Sequence, residues 1–165
     1  MRVLGIDPGY ALLGYGIVDT EGSRFSAVDY GVIETFPDMT FPERLERISQ
    51  GMIYILDHFS PDAVVFEELF FYHNITTAIA VGAARGVALL EAQKKAVPLY
   101  EYTPKQIKQI ITENGSADKK AIQHMVMMYL GMREVPKPDD AADALACALT
   151  FLSTMEPARE EFRIK

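Results

Sequence analysis

The chain has 165 residues, 49% hydrophobic and 24% charged, a balance that suits one domain with a buried core. No window of about 18 uncharged apolar residues occurs, which excludes a transmembrane helix of ordinary length; the first residues lack the apolar stretch and cleavage site of a secretory leader, and a lone Cys147 forms no internal disulfide, so the cytoplasm is the expected setting. The formal charge of −7 argues against a general nucleic-acid binder, because phosphate contacts need Lys and Arg, although net charge does not say where the charges lie.

Arg2 to Asp7 reads as a short buried strand, and Pro8-Gly9-Tyr10 supplies turn chemistry before a glycine-rich strand over 13–19. Glu21-Gly22 turns the chain into a third strand over 25–35, where β-branched and aromatic residues alternate with polar ones. Phe41-Pro42-Glu43 opens a helix whose Leu45, Ile48, Met52, Ile55, Leu56 and Phe59 recur at helical spacing. Ser60-Pro61-Asp62 ends it, and Ala63-Val64-Val65-Phe66-Glu67 is a near-continuous apolar run suited to a strand buried on both faces. A long helix over 75–94 and a strand over 98–102 follow. Thr103-Pro104 starts the next helix, Asn114-Gly115 breaks it, and Ser116 is the expected cap of a helix running to about residue 130. After Pro136-Lys137-Pro138 comes a last helix over 139–153. The order β-β-β-α-β-α-β-α-α-α predicts an α/β fold, a mixed sheet flanked by helices on both faces. Residues 1–155 form the expected domain, and 156–165 a charged, flexible tail.

Four acids stand out. Asp7 ends the first strand just before Pro-Gly, where open α/β sheets place ligands. Glu67 ends an apolar strand, and Asp140 and Asp143, three apart, share a helix face. If these converged they would repel one another strongly unless a cation neutralised them. Oxygen ligands without paired His or Cys favour Mg²⁺ over zinc, with Mn²⁺ as a substitute. Two such ions would stabilise the attacking and leaving oxygens in phosphodiester hydrolysis. Each acid also has a plainer reading: Asp7 as a turn residue, Glu67 interchangeable with Glu68, and Asp139, Asp140 and Asp143 as complements to a helix dipole.

Leu4-Gly5-Ile6-Asp7-Pro8-Gly9 with Gly14-Tyr15-Gly16, then Phe66-Glu67-Glu68-Leu69-Phe70, Gly82-Ala83-Ala84-Arg85-Gly86-Val87, and Asp140-Ala141-Ala142-Asp143-Ala144-Leu145-Ala146 resemble, in order, the motifs of RuvC-type Holliday junction resolvases. The resemblance spans the first strand to about Leu152. It implies a ribonuclease-H-like fold, a homodimer, and paired Mg²⁺-dependent nicks across four-way junction DNA in recombination and repair, alongside the branch-migration complex RuvA and RuvB. It also implies that Asp7, Glu67, Asp140 and Asp143 are the metal-binding catalytic acids, choosing Glu67 over Glu68 and Asp140 over Asp139. Asp139 is an extra acid relative to the family pattern, and the tail carries few basic residues.

Lys105, Lys108, Lys119 and Lys120, with Arg85, are the candidates for a phosphate-binding surface; the plainer reading is a solvated helix face. Similar basic positions border the acids in the family, which favours Lys108 and Lys119. Phe70, Phe71 and Tyr72 follow Glu67 and suit either base stacking or core packing, with Phe70 preferred through the resemblance. The small residues of 78–86 suit close helix approach, within the domain or across a dimer. His58 and His124 read as helix residues, His73 lies beside the aromatics, and Met125, Met127, Met128 and Met132 read as core or interface filling. Two rival functions use the same residues differently: cleavage of RNA–DNA hybrids on the same fold, and a non-catalytic nucleic-acid-binding module.

Overall fold

Two strands of nearly unbroken apolar sequence, RVLGID and AVVFE, lie side by side at the centre of the sheet and are covered on both faces. The computed structural model describes residues 1–69 and 75–165. Phe70 and its neighbours Phe71, Tyr72, His73 and Asn74 lie outside the described residues. Among the described residues five strands form one sheet, β1 (Arg2–Asp7), β2 (Leu12–Glu21), β3 (Arg24–Glu34), β4 (Ala63–Glu67) and β5 (Leu99–Tyr102), in the spatial order β3-β2-β1-β4-β5. β1 pairs antiparallel with β2 and parallel with β4, which pairs parallel with β5. The sheet is therefore mixed, as expected.

Strand side chains alternate between faces, and the apolar residues divide accordingly. Val3, Val65, Tyr100 and Tyr102 pack with α3 (Pro104–Thr112), α4 (Lys119–Tyr129) and α5 (Asp139–Ser153). Leu4, Ile6, Val64, Phe66 and Leu99 pack with α1 (Phe41–Phe59) and α2 (Ile75–Lys94). Within α2, Ala84, Ala88 and Ala92 are fully buried at four-residue spacing, one face of the helix. The in-domain reading of its small residues thus holds for one stripe, while Gly82 and Gly86 face open space.

Two expectations change. Asp118, and not Ser116, caps α4: its side chain accepts from the Ala121 N–H at 2.8 Å. Ser116 is instead held in an Asx turn, its N–H donating to Asn114 Oδ1. The segment 156–165, expected as a flexible tail, folds back onto the sheet. It forms a short helix α6 (Glu156–Arg159) and a 3₁₀ turn over Glu160–Phe162. Phe162 stacks on Tyr102 at 4.3 Å, the Ile164 N–H donates to Leu99 O, and Arg159 donates to the carbonyls of Phe151, Leu152 and Thr154 at the end of α5. Charge count misled here, because the few apolar residues and one arginine supply the docking.

Candidate active site

Glycine decides how close the last helix comes to the sheet. A Cβ on Gly5 would lie 1.9 Å from the Ala144 carbonyl oxygen, and one on Gly14 would lie 2.1 Å from that of Asp140. The helix α5 offers alanine in return, with Ala141, Ala144 and Ala148 fully buried. Backbone thus rests almost on backbone, and the first turn of α5 is delivered to the C-terminal end of β1. Gly14 is also the register partner of Asp7, so Asp140 lies over the pair. Gly9 serves a different purpose: a Cβ there would meet the Leu12 carbonyl at 1.8 Å, so the turn after Asp7 closes only with glycine.

Asp7 and Glu67 end neighbouring parallel strands and alternate with Ile6 and Phe66, which face α1 and α2. Both carboxylates therefore face α5. Their proton affinities reflect burial first and neighbouring acids second. Burial pushes the Asp7 carboxyl up to about 8, helped by Glu67, Asp143 and Asp140. Burial also pushes Glu67 up to about 7, with Asp143 as the next cause. Asp143 is raised by burial too, against the opposing pull of Lys119. This is a set of half-buried, mutually repelling oxygens.

Lys119, at the first position of α4, extends into this set. Its Nζ lies 2.9 Å from Asp143 and 3.4 Å from Asp139. Burial depresses the ammonium, but the two aspartates outweigh that and hold it above its ordinary value. Asp139 in turn accepts from Gln123 Nε2 at 3.0 Å. The extra acid therefore has a role that sequence reasoning missed, steadying the lysine. The only signal available was its departure from the family pattern. Beside these groups is a cavity of about 240 Å³ lined by Glu67, Lys108, Lys119 and Asp143 over Pro104, Ile107 and Ile122. A larger concavity of about 1380 Å³ opens at the other end of the sheet, where Asp19 is already committed to Arg2. Volume there has no convergent chemistry.

The expected basic surface divides. Lys108 and Lys119 border the acids, while Lys105 and Lys120 are exposed on the same two helices, away from the cavity lining. Arg85 parts from them altogether. It projects from α2 on the opposite face of the sheet and pairs with Glu101 at 2.5 Å. His58 stacks on the exposed Tyr54, and His124 is exposed on α4; neither joins the acids. Cys147, fully buried one turn beyond Asp143, has its thiol pushed well up by burial and stays protonated.

As donors, the acids offer hard oxygens of the kind Mg²⁺ and Mn²⁺ accept, and their raised proton affinities are what a divalent cation would relieve. Among the described residues no three His, Cys, Asp or Glu side chains are gathered tightly enough to enclose an ion as they stand. Lys119 occupies part of the space between them. The chemistry of the donor set fits a divalent ion.

Comparison with known proteins shows the family. The family model described as crossover junction endodeoxyribonuclease RuvC matches residues 3–151. The crossover junction endodeoxyribonuclease RuvC of Alkaliphilus oremlandii is 50% identical over 165 residues, covering all of both chains. That of Brevibacillus brevis is 51% identical over 150 residues, 91% of this chain and 90% of the relative. The structure of Thermus thermophilus RuvC in complex with Holliday junction substrate matches with a TM-score of 0.92 at 38% identity, covering 99% of each chain, and gives the sheet its ribonuclease-H-like classification. With its acids gathered where β1 and β4 end beneath α5, the chain belongs to the RuvC family of Holliday junction resolvases, endonucleases that act on crossover DNA.

Proposed function

We propose that Asp7, Glu67, Asp140 and Asp143 hold two divalent ions, Mg²⁺ by preference with Mn²⁺ as a substitute, and that a homodimer uses two such centres to place paired symmetric nicks in a four-way DNA junction. The observation that supports this most directly is the mutual electrostatic loading of the acids, with Asp7 pushed up to about 8. Ions bound there supply charge neutralisation for the attacking and leaving oxygens of an in-line displacement. The chain's own residues do the rest. Asp7 and Glu67 are fixed by the strand ladder, Asp140 and Asp143 by the rigid, alanine-packed α5. Lys119, 2.9 Å from Asp143, would offset part of the acids' charge and bring a cation to the edge of the site. Lys108 lines the same cavity and raises its positive potential toward the backbone. This local concentration of lysine answers the net charge of −7.

The outer stripe of α2 supports the dimer. Ile79 and Leu90 are 67% and 52% exposed, and the positions of Gly82 and Gly86 between them are open. An apolar stripe whose small residues leave the backbone accessible suits close helix–helix packing across a two-fold axis. Replacing Gly86 by Arg, where an added side chain meets nothing within the protomer, should leave the fold intact and convert a dimer to a monomer in sedimentation. Junction cleavage should then lose its paired character. A dimer that persists would remove this stripe from the interface. Action in the cytoplasm beside the branch-migration motor RuvA and RuvB follows from the family reading; among the described residues no helix is long and apolar enough to cross a membrane.

The deciding experiment compares substrates. With Mg²⁺, the protein should nick a four-way junction symmetrically and leave a linear duplex and an RNA–DNA hybrid intact. Cutting only the hybrid would overturn the assignment. Replacing Lys108 and Lys119 together by Ala should weaken junction binding about tenfold or more and lower the slope of log affinity against log salt by roughly 2. An unchanged slope would take both lysines out of the DNA interface.

A further inference from the structure

Arg85 is costly where it stands. Its side chain is 21% exposed, its Nη2 donates to Glu101, and its ζ-carbon lies 5.8 Å from the centroid of the fully buried Phe66 ring. Its Nε is buried and has no hydrogen-bond partner among the described residues. A buried donor left unspent lowers stability, and an apolar chain of similar length would cover Phe66 without that loss. The fold tolerates the cost at one particular place. Phe66 and Glu101 are register partners across β4 and β5, and the next pair along that ladder is Glu67 with Tyr102. Arg85 therefore grips one face of the sheet directly behind the residue whose other face presents Glu67. Beyond Glu67, the Glu68 N–H donates to the Tyr102 carbonyl at 2.9 Å, a second tie at the same corner.

Glu67 stands at the corner these ties hold, as the last residue of β4 with its side chain turned to α5, on the face opposite Arg85. We propose that Arg85 is a positioning residue for Glu67: paired with Glu101 and laid over Phe66, it locks the β4–β5 corner and thereby sets where the Glu67 carboxylate stands. This assignment rests on the reading of Glu67 as a metal-binding acid. The guanidinium suits the task better than an ammonium, since its cationic carbon stands over an aromatic ring, 5.8 Å from the centroid, while Nη2 donates to a carboxylate.

Arg85→Met and Glu101→Gln, made in the full-length protein, test the assignment through three readouts. These are the single-turnover cleavage rate at saturating protein, junction affinity across salt concentrations, and the rise in Tm on adding Mg²⁺. Both variants should bind the junction with the parent's affinity and salt slope. Their cleavage should slow about 10- to 100-fold, as expected for a small misplacement of a reacting group, and need more Mg²⁺. The Tm rise on adding Mg²⁺ should shrink in both. Combining the two substitutions should slow cleavage no further than Arg85→Met alone, and Arg85→Lys should recover only part of the rate. Parent-like cleavage and Mg²⁺ response in Arg85→Met would overturn the proposal. So would lost junction affinity with a flatter salt slope, which would make Arg85 a phosphate contact. Should Arg85→Met fail to fold, Glu101→Gln, which keeps its volume and an acceptor oxygen, decides by the same readouts. A parent protein indifferent to Mg²⁺ in both cleavage and Tm would sink the metal reading itself, a result distinct from a variant that matches a responsive parent.

Discussion

Replacing Asp7 by Asn should lower junction cleavage by about 10³-fold or more while making the metal-free protein more stable at pH 8 than its parent. The first effect follows if Asp7 is a ligand of the catalytic ions, since a single misassigned charge in such a site forfeits several kcal/mol of transition-state stabilisation. The second follows from linkage. The ordinary value for Asp is 3.8, and burial with three acidic neighbours pushes Asp7 up to about 8. Between those values the folded protein binds a proton that the unfolded chain has released. The stabilising contribution of this proton to the metal-free form is thus fully present below about pH 4, declines as pH rises through the window, and is lost by about pH 8. Glu67, pushed from 4.5 up to about 7, acts in the same direction. At roughly 1.4 kcal/mol per unit the decline is on the order of a few kcal/mol, not the sum of both groups, because their ionisations are coupled.

Asparagine carries no ionisable proton, so the variant escapes its share of this decline. Calorimetry at pH 8 with a chelator should place its Tm on the order of 5–10 °C above the parent's, taking about 2–4 °C per kcal/mol for a chain of this size. Mg²⁺ should reverse the ranking. It stabilises the parent by binding the carboxylates, roughly 2.7 kcal/mol at a hundred times its dissociation constant, and stabilises the variant less. A Tm for the parent that does not change between pH 5 and pH 8 without metal would count decisively against the acidic cluster described here.

Gly14→Ala should damage the site from behind. The added Cβ would stand 2.1 Å from the Asp140 carbonyl oxygen and 2.5 Å from its carbonyl carbon. Both are main-chain atoms of α5, which cannot rotate aside as a side chain would. The helix must lift from β2, taking Asp140 and Asp143 with it. Overpacking of this kind costs about 1–3 kcal/mol, occasionally more, and a shift of about 1 Å in a catalytic group costs roughly 10²-fold in rate. We therefore expect a Tm lower by about 5–10 °C together with cleavage reduced about 100-fold, and Gly5→Ala, facing the Ala144 carbonyl at 1.9 Å, should behave alike. Gly82→Ala, made in the Gly86→Arg background that removes the proposed helix–helix contact, is the control. The same methyl meets nothing there, and a helix interior favours Ala over Gly by about 0.5–1 kcal/mol, so its Tm should hold or rise. Equal losses in Gly14→Ala and Gly82→Ala would mean that backbone entropy, and not the close approach of α5, sets the requirement for glycine.

Local pattern alone was enough to mark every strand and long helix of this protein within a few residues, because apolar runs, helical periodicity and turn residues are short-range properties. It also marked Asp7, Glu67, Asp140 and Asp143 as unusual, since acids that end apolar strands or enter an alanine-rich helix stand out against their neighbours. Choosing Glu67 over Glu68 was harder from spacing; the ladder puts Glu67 on the face of α5 because side chains alternate from Val65. Three features were decided only by the tertiary structure. The reach of Lys119 to Asp143 and Asp139 depends on how α4 crosses α5, and no spacing between residues 119 and 143 encodes that angle. The tail's docking rests on Phe162 meeting Tyr102 and Arg159 meeting the end of α5, contacts among residues that local composition assigned to solvent. Arg85 shared its charge with the lysines but not its location: the sheet stands between them, and its partner became Glu101. Sequence carries charge and periodicity residue by residue, whereas the face on which a charge emerges is set by the packing of whole elements. For that reason the four acids stood out as candidates before the fold was known, whereas Arg85, grouped with Lys108 and Lys119 by charge, was separated from them only by the fold.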